Sequence, residues 1–230
     1  LMWGADNRIE NVSINASDYG IYLSNNTRAT IDGAYLSNSS QRGLYAYQST
    51  RLNVSNSTFY RGYIGLYLEY RSQFVNITNN TFESQSYMAL QVEANDDVRI
   101  IGNTIRWPVY YGIYFGGSSA DHVDRAFVSG NRINGTAAYY AIEANYMYNS
   151  IVEANNITNT ASIAIYLSLS NANIVRRNVA RYQAYGLYIT GASNTLIQNV
   201  VSNSSSYTIY MPAGANFNQY YHNNFYLSSG

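Results

Sequence analysis

The chain has 230 residues, of which 30 are Asn, 26 Tyr and 26 Ser, and it contains neither Cys nor Lys. Its 13 Arg residues balance 13 acidic residues, which argues against a basic nucleic-acid-binding protein. The lack of Cys excludes disulfides, thiolate metal sites and Cys nucleophiles. No apolar run reaches the roughly 18 residues of a membrane span. The chain begins at Leu1 and shows no leader-like segment, so we interpret it as a mature product or a segment of a longer chain. We treat residues 1–230 as one domain.

A Gly-apolar-Tyr-apolar phrase recurs along the whole chain, starting with Gly20-Ile21-Tyr22-Leu23. Nine copies, some with Ala or Thr in place of Gly, follow one another at 23, 22, 24, 23, 29, 23, 22 and 22 residues. Alternation of this kind over three or four residues has the period of a strand, and no window shows the periodicity of a helix. The phrase therefore predicts one short strand in each repeat.

A second phrase lies between the copies and consists of two apolar residues five positions apart, as in Val54 to Phe59 and Ile77 to Phe82. Asn recurs three places after the first apolar residue, at Asn80, Asn103, Asn131, Asn155, Asn199 and Asn223. An Asn amide both donates and accepts hydrogen bonds, so stacked repeats would form a bonded column of these side chains. Asn also tolerates the left-handed backbone of a tight bend, which we expect at the same positions.

The period near 23 residues, with two or three strands per turn, predicts an all-β parallel β-helix of about ten coils and 22–24 residues per coil. The Gly-Ile-Tyr-Leu and Ile-x-x-Asn-x-Ile units resemble the repeats of right-handed, single-stranded parallel β-helices of the pectin lyase-like superfamily, most closely the NosD type. The resemblance implies a solenoid fold that serves lyases, hydrolases, adhesins and structural rods, so it indicates function only weakly.

The 29-residue repeat is lengthened by the bend after Phe115. Stacking is predicted to bring together four acids from this bend and the preceding one: Asp96, Asp97, Asp121 and Asp124. Three interpretations stay open: a calcium site, a carboxylate pair that cleaves a sugar chain, or a solvated loop whose acids pair with Arg99 and Arg125. Of the segments that the superfamily's polygalacturonases use for catalysis, the chain has an Asp96-Asp97 pair but no Gly-His-Gly and no Asn-Thr-Asp. The superfamily's lyases use Arg or Lys as the base, and the chain has no Lys.

The middle residue of the first phrase is predicted to face outwards, because its aliphatic neighbours must face the core. Stacked coils would then carry a surface ladder of Tyr22, Tyr45, Tyr67, Tyr114, Tyr166, Tyr188 and Tyr210, interrupted by Gln91 and Glu143. A second set precedes the small residue, and its direction is not settled by the pattern: Tyr19, Tyr111, Tyr140, Tyr185 and Tyr207. The ladder could stabilise the sheet, contact another copy of the chain, or stack against sugar rings.

The Asn-x-Ser/Thr pattern of N-glycosylation occurs at Asn11, Asn15, Asn25, Asn38, Asn53, Asn56, Asn76, Asn79, Asn134, Asn156 and Asn203. These sequons indicate either a glycosylated, secreted surface or a by-product of Asn-rich and Ser-rich turns. Both interpretations stay open.

Together these patterns predict a non-enzymatic structural or interaction solenoid at the cell surface or outside the cell, in a glycosylated sheath or filament assembly. No capping helix is evident at either end, so we expect self-association, end to end or lateral. The alternative is a carbohydrate-active β-helix (a polysaccharide lyase or glycoside hydrolase) or a carbohydrate-binding one. Glycans are possible partners, nucleic acid and a membrane span are not expected, and calcium is the one cofactor considered.

Overall fold

The computed structural model describes residues 2–227, which form strands, turns and bends without any α-helix. Among these residues, no helix could cross a membrane. Every paired strand runs parallel to its neighbour one coil away, as in Ile77 beside Ile100 and Val152 beside Val175. The predicted parallel β-helix of about ten coils is therefore confirmed.

One sheet contains one strand from each of ten coils. Its strands are Arg8–Glu10, Thr30–Asp32, Asn53–Ser55, Asn76–Thr78, Arg99–Ile101, Phe127–Ser129, Ile151–Glu153, Ile174–Arg176, Thr195–Ile197 and Gln219–Tyr221. We call it the ten-stranded sheet. The first apolar residue of the second phrase lies at the centre of each strand, with its side chain in the core of all but the end coils.

The other large sheet contains two columns of strands. The short column comprises Ser13–Asn15, Tyr35–Ser37, Thr58–Tyr60, Thr81–Glu83, Thr104–Arg106, Arg132–Asn134, Asn156–Thr158 and Asn224–Leu227. The long column, which carries the Gly-apolar-Tyr-apolar phrase, comprises Met2–Ala5, Tyr19–Thr27, Arg42–Tyr47, Ile64–Glu69, Met88–Glu93, Tyr111–Gly116, Tyr140–Asn145 and Ile163–Ser168. Val179–Ile189 and Val200–Tyr210 run through both columns, and a small third sheet pairs Val123–Asp124 with Met147–Tyr148.

The main core is an apolar column that runs through the centre of the coils, and a smaller buried cluster of Ile64, Tyr67 and Met88 is separate from it. Leu66 and Leu68, which flank Tyr67, are both 0% exposed, as the strand alternation requires. Phe59 and Phe82 stack face to face in neighbouring coils, with ring centroids 4.6 Å apart. The aliphatic residues of both phrases therefore close the interior from all sides.

The predicted asparagine column exists and lies at the bend between the ten-stranded sheet and the short column. We call it the asparagine ladder: Asn80, Asn103, Asn131, Asn155, Asn178, Asn199 and Asn223. Asn131 donates from Nδ2 to the Ile100 carbonyl and to Asn155 Oδ1, both at 2.9 Å. Its own Oδ1 accepts hydrogen bonds from the backbone and side-chain nitrogens of Asn103 at 2.9 and 3.0 Å. Each ladder residue before Asn223 thus links three successive coils, and Asn223 bonds to the coil before it.

The expectation that ladder residues adopt the left-handed backbone is wrong. The left-handed position is the residue immediately before each one: Asn79, Gly102, Gly130, Ala154, Arg177, Gln198 and His222. The side chain of a ladder residue must point inwards to reach the carbonyl of the previous coil, so the sharp reversal falls one place earlier. His222 is accordingly an exposed turn residue.

Candidate functional site

The outer side of the long column forms what we call the tyrosine face. Its central positions are in register from coil to coil: Tyr22, Tyr45, Tyr67, Gln91, Tyr114, Glu143, Tyr166, Tyr188 and Tyr210. Neighbouring rings touch, with centroids 4.9 Å apart for Tyr22 and Tyr45 and 4.8 Å apart for Tyr188 and Tyr210. The rings are largely covered, and Tyr67 is only 5% exposed.

The second tyrosine set faces the same side as the first. Tyr111 and Tyr185 contact the central rings of Tyr114 and Tyr188 at 5.4 and 5.7 Å. At the bend before the long column, a further series of rings is in contact over four consecutive coils, with Tyr63 and Tyr87 stacked face to face. We call it the outer tyrosine row: Tyr63, Tyr87, Tyr110 and Tyr139. Tyr63 and Tyr139 are 41% and 42% exposed, so this row presents aromatic surface to solvent.

Carboxylates lie two residues beyond the central positions and bind tyrosine hydroxyls from the coil before. Tyr45 donates to Glu69, and Tyr67 donates to Glu93 at 2.5 Å. Burial, and then these hydrogen bonds, raise the pKa of both tyrosines above the ordinary value, so they are neutral phenols. The tyrosine repeat does not single out Glu69 and Glu93, although their two-residue spacing from Tyr67 and Gln91 places them on this face.

Arg42 is a third residue of this face that the repeat pattern did not single out. It replaces a tyrosine of the second set, in register with Tyr19 and Ile64. Its guanidinium carbon lies 4.8 and 4.7 Å from the ring centroids of Tyr45 and Tyr67. A cation over aromatic rings is held by their negative faces, so Arg42 gives positive charge to the N-terminal end of the tyrosine face.

Glu143 is a carboxyl group buried within the tyrosine face. It is 6% exposed, Oε1 accepts a hydrogen bond from Asn145 at 2.7 Å, and Oε2 is buried without a hydrogen-bond partner. Burial raises the pKa of Glu143, and the Asn145 hydrogen bond opposes that rise. Functional sites often contain buried carboxyls of this kind, which makes Glu143 a candidate functional residue.

Because the pKa of Glu143 is raised by burial, the folded chain is destabilised at high pH, where this carboxyl must ionise. A buried acid with a raised folded pKa contributes fully to stability below its ordinary pKa of 4.5, and that contribution is lost as pH rises through the folded value. Glu143→Gln stays neutral, so we expect its Tm relative to the natural chain to be higher at pH 8 than at pH 4, measured by circular dichroism. An unchanged difference at both pH values would contradict the burial argument. The phenols around Glu143 are neutral at both: Tyr87, Tyr111, Tyr114 and Tyr140.

A cavity of about 330 Å³ opens beside the tyrosine face above Gly116. Its lining includes Glu93, Tyr114, Gly116 and Asp121. A Cβ on Gly116 would lie 2.8 Å from Tyr114 Cε1 and 3.0 Å from Glu93 Cγ, so the absent side chain lets these two residues converge. The loop that lengthens the 29-residue repeat forms the outer wall, where Ser118 Oγ accepts a hydrogen bond from the Asp121 backbone at 3.0 Å.

The four acids predicted to cluster do so only in part. Arg125 binds Asp97 through two hydrogen bonds of 2.9 Å, also contacts Asp124, and lies 3.7 Å from Asp96. These carboxylates raise the pKa of Arg125, chiefly through the Asp97 hydrogen bonds. Asp121 lies apart, at the cavities on either side of its loop. Arg99 does not join the cluster but lies over the Phe127 ring at 5.0 Å.

The positive charge beside Asp96, Asp97 and Asp124 comes from the guanidinium of Arg125, in the place where a calcium ion was one of the predicted alternatives. Within residues 2–227, no three His, Asp or Glu side chains converge to hold a metal ion. His122 lies beside this region with its ring 4.7 Å from that of Tyr148, and its buried Nδ1 has no hydrogen-bond partner.

The sequons lie on accessible positions. Among their asparagines, Asn76, Asn134 and Asn203 are half-buried, and all the others are exposed. None of the eleven belongs to the asparagine ladder. Their accessibility therefore fits both interpretations: Asn in surface turns, and Asn that accepts a glycan.

Comparison with known proteins extends the description of the fold. No curated protein matches the chain. Among solved structures, an alginate lyase from Paenibacillus sp. str. FPU-7 superposes with a TM-score of 0.75 at 16% identity, covering 96% of this chain and 91% of the lyase. The periplasmic alginate epimerase AlgG gives 0.80 at 12% identity, covering 96% and 69%. PfbA, a surface adhesin of Streptococcus pneumoniae, gives 0.65 at 14% identity, covering 98% and 64%.

At these identities the neighbours establish the fold alone, which is the parallel β-helix that the resemblance implied. The family described as "Right handed beta helix region" matches residues 1–75 and 64–226, nearly the whole chain. This match fixes the handedness of the solenoid. The chain belongs to the right-handed β-helix family.

Proposed function

We propose that this chain is a carbohydrate-binding β-helix of the cell exterior that holds a polysaccharide strand along its tyrosine face. The observation that carries the proposal is the outer tyrosine row, in which four consecutive coils present touching rings at centroid distances of 4.9, 5.2 and 5.3 Å. Aromatic rings offer sugar rings an apolar face, while their hydroxyls and nearby carboxylates bind sugar hydroxyls.

The chemistry beside the row supports the same proposal. The row borders the tyrosine face, and the cavity above Gly116, lined by Glu93 and Tyr114, lies across that face. A polymer whose rings repeat along its length matches a surface that repeats once per coil. Known neighbours of this fold include an alginate lyase, an alginate epimerase and an adhesin, which supports a glycan ligand and an extracellular or periplasmic location.

A test of this proposal removes two exposed rings of the row. We expect Tyr63→Ser combined with Tyr139→Ser to bind polysaccharide at least tenfold more weakly, about 1.4 kcal/mol, because aromatic anchors dominate such interfaces. The measurement is affinity electrophoresis or calorimetry with alginate, polygalacturonate, chitosan and a neutral glucan. Tyr35→Ser is the matched control, because Tyr35 is 43% exposed but lies on the short column.

The natural chain binding none of these polysaccharides would overturn the proposal. Equal binding by the double variant and the natural chain would remove the outer tyrosine row from it. Lateral self-association through the same face is the competing role, because a long strip of exposed aromatic rings could also contact a second copy of the chain. Sedimentation of both proteins separates the two roles, since a contact between copies would make the natural chain assemble and the double variant stay monomeric.

A further inference from the structure

A cavity of about 310 Å³ lies on the outer side of the ten-stranded sheet, and we call it the phenylalanine cavity. Part of its lining comes from three successive coils in register, with Asn76 beside Arg99 and Arg99 beside Phe127. These residues alternate with core residues along their strands, so their side chains point outwards. The bend before the same strands supplies the remaining lining residues: Phe74, Asp97 and Arg125. The cavity therefore combines two phenyl rings with two guanidinium groups and one carboxylate.

Arg99 carries the unbalanced charge of this lining. Arg125 donates hydrogen bonds of 2.9 Å to both oxygens of Asp97, so these two charges neutralise each other, and the other acids that Arg125 contacts do not line the cavity. In the part of the chain that the structure describes, Arg99 forms no ion pair. Its guanidinium carbon lies 5.0 Å from the centre of the Phe127 ring, which holds the cation and leaves its N–H groups for another acceptor.

Phe74 forms an apolar wall that the fold itself does not require. It is 52% exposed and has a left-handed backbone with φ 55°, which an aromatic residue rarely adopts and which Asn or Gly adopts at lower cost. A half-exposed ring also removes little apolar surface from water. The stability of the chain therefore does not account for Phe74, whereas contact with an apolar ligand would.

The lining has few polar groups that are free to bind a sugar. Asn76 already donates from Nδ2 to Asn53 at 2.9 Å, and Arg125 and Asp97 bind each other. Each hydroxyl of a sugar ring loses water on binding and needs a partner in the site. A flat hydrocarbon ring with one acid group has no such requirement, so the phenylalanine cavity differs in its chemistry from the tyrosine face.

We infer that the phenylalanine cavity binds an aromatic carboxylate, with its acid group on Arg99 and its ring against Phe74 and Phe127. A guanidinium binds a carboxylate through two parallel hydrogen bonds, and aromatic rings pack on one another edge to face or offset. The cavity volume lies at the lower end of those that bind small molecules, which suits a ligand of about ten to twelve non-hydrogen atoms. The cavity and the tyrosine face lie on different sheets, so this inference is independent of polysaccharide binding.

The test compares hydrocinnamate with hydrocinnamyl alcohol, which has the same ring and chain without the charge, and with galacturonate, which has the charge without an aromatic ring. We expect the natural chain to bind hydrocinnamate with a Kd of about 1 mM or below, and at least tenfold more tightly than the other two, in ligand-observed NMR titrations at low salt. Arg99→Gln should reduce the affinity for hydrocinnamate to that for the alcohol, and Phe74→Ser should reduce it about fivefold or more.

The control variant is Arg61→Gln, because the Arg61 guanidinium lies over the Tyr60 ring at 4.9 Å but does not line the cavity. Arg61, Arg99 and Phe74 are all exposed, so the three variants should fold, which circular dichroism checks. Arg61→Gln should bind hydrocinnamate as the natural chain does. An equal loss of affinity in Arg61→Gln and Arg99→Gln would overturn the assignment to this cavity, because general surface charge would then explain the binding.

The remaining outcomes concern the class of ligand. Equal affinity for hydrocinnamate and its alcohol would overturn the role of Arg99 as the group that binds the acid. Tighter binding of galacturonate would overturn the aromatic ligand and identify a site for acidic sugars. No binding of any of the three probes would overturn the inference as a whole and leave the proposed polysaccharide binding intact, since Tyr63 and Tyr139 test that function separately.

Discussion

Asn131→Ala is expected to lower the free energy of unfolding by about 3–5 kcal/mol, because it leaves buried backbone groups without partners. The Ile100 carbonyl would lose the 2.9 Å bond from Nδ2, and the Asn103 amide would lose its acceptor. Both groups lie inside the solenoid, where water cannot replace the lost bonds. Urea unfolding followed by circular dichroism measures the change.

The control for Asn131 is another asparagine with a side-chain partner in the next coil. Asn53 accepts a hydrogen bond of 2.9 Å from Asn76, but the pair lies on the exposed side of the ten-stranded sheet. Asn53→Ala should change stability by less than about 1 kcal/mol, because water satisfies the freed groups. Comparable losses in the two variants would show that the asparagine ladder is not a special source of stability.

Phe82→Ala is expected to destabilise the chain by about 3–5 kcal/mol, since it removes a large side chain from a close-packed interior. Phe82 is 0% exposed and stacks on Phe59 at 4.6 Å with an angle of 6° between the rings. The coils above and below are tied by backbone ladders and cannot collapse into the space. Thermal and urea unfolding should give the same loss of stability.

Phe217 provides the comparison for Phe82, because it is 86% exposed in a turn. Phe217→Ala should alter stability by no more than about 0.5 kcal/mol. A loss below about 1 kcal/mol in Phe82→Ala would mean that the core relaxes around the missing ring, and would contradict the close packing described here.

The fold could be predicted because each coil contains the same two sequence phrases. The 22–24-residue spacing requires stacked strands, and an Asn three places after an inward-facing residue must reach the neighbouring coil. The placement of the left-handed residue was predicted one position too late, because sequence shows which residue types favour a bend but not which atom must point inwards. The register between neighbouring coils decides which side chain points inwards, and that register follows from the complete ladder of hydrogen bonds.

The candidate site was less accessible to sequence reasoning. Stacking did bring Asp96 beside Asp124, as predicted, but Arg125 fills the space among the acids, and Asp121 lies away from them. The cavity above Gly116 depends on the lean of Tyr114, which no repeat pattern encodes. Glu69 and Glu93 carried a usable signal, their two-residue spacing from Tyr67 and Gln91. The Gly-apolar-Tyr-apolar phrase alone does not include these two carboxylates.

The asparagine ladder also decides how the molecule would respond to a pulling force. Each ladder residue before Asn223 binds the coils on both sides, so a chain pulled from one end must break the bonds of one coil before the force reaches the next. A released coil of about 23 residues would extend by roughly 75–80 Å. The solenoid would therefore yield in a series of nearly equal steps, with one longer step at the 29-residue repeat, and would keep its remaining coils intact while the end coils unwind.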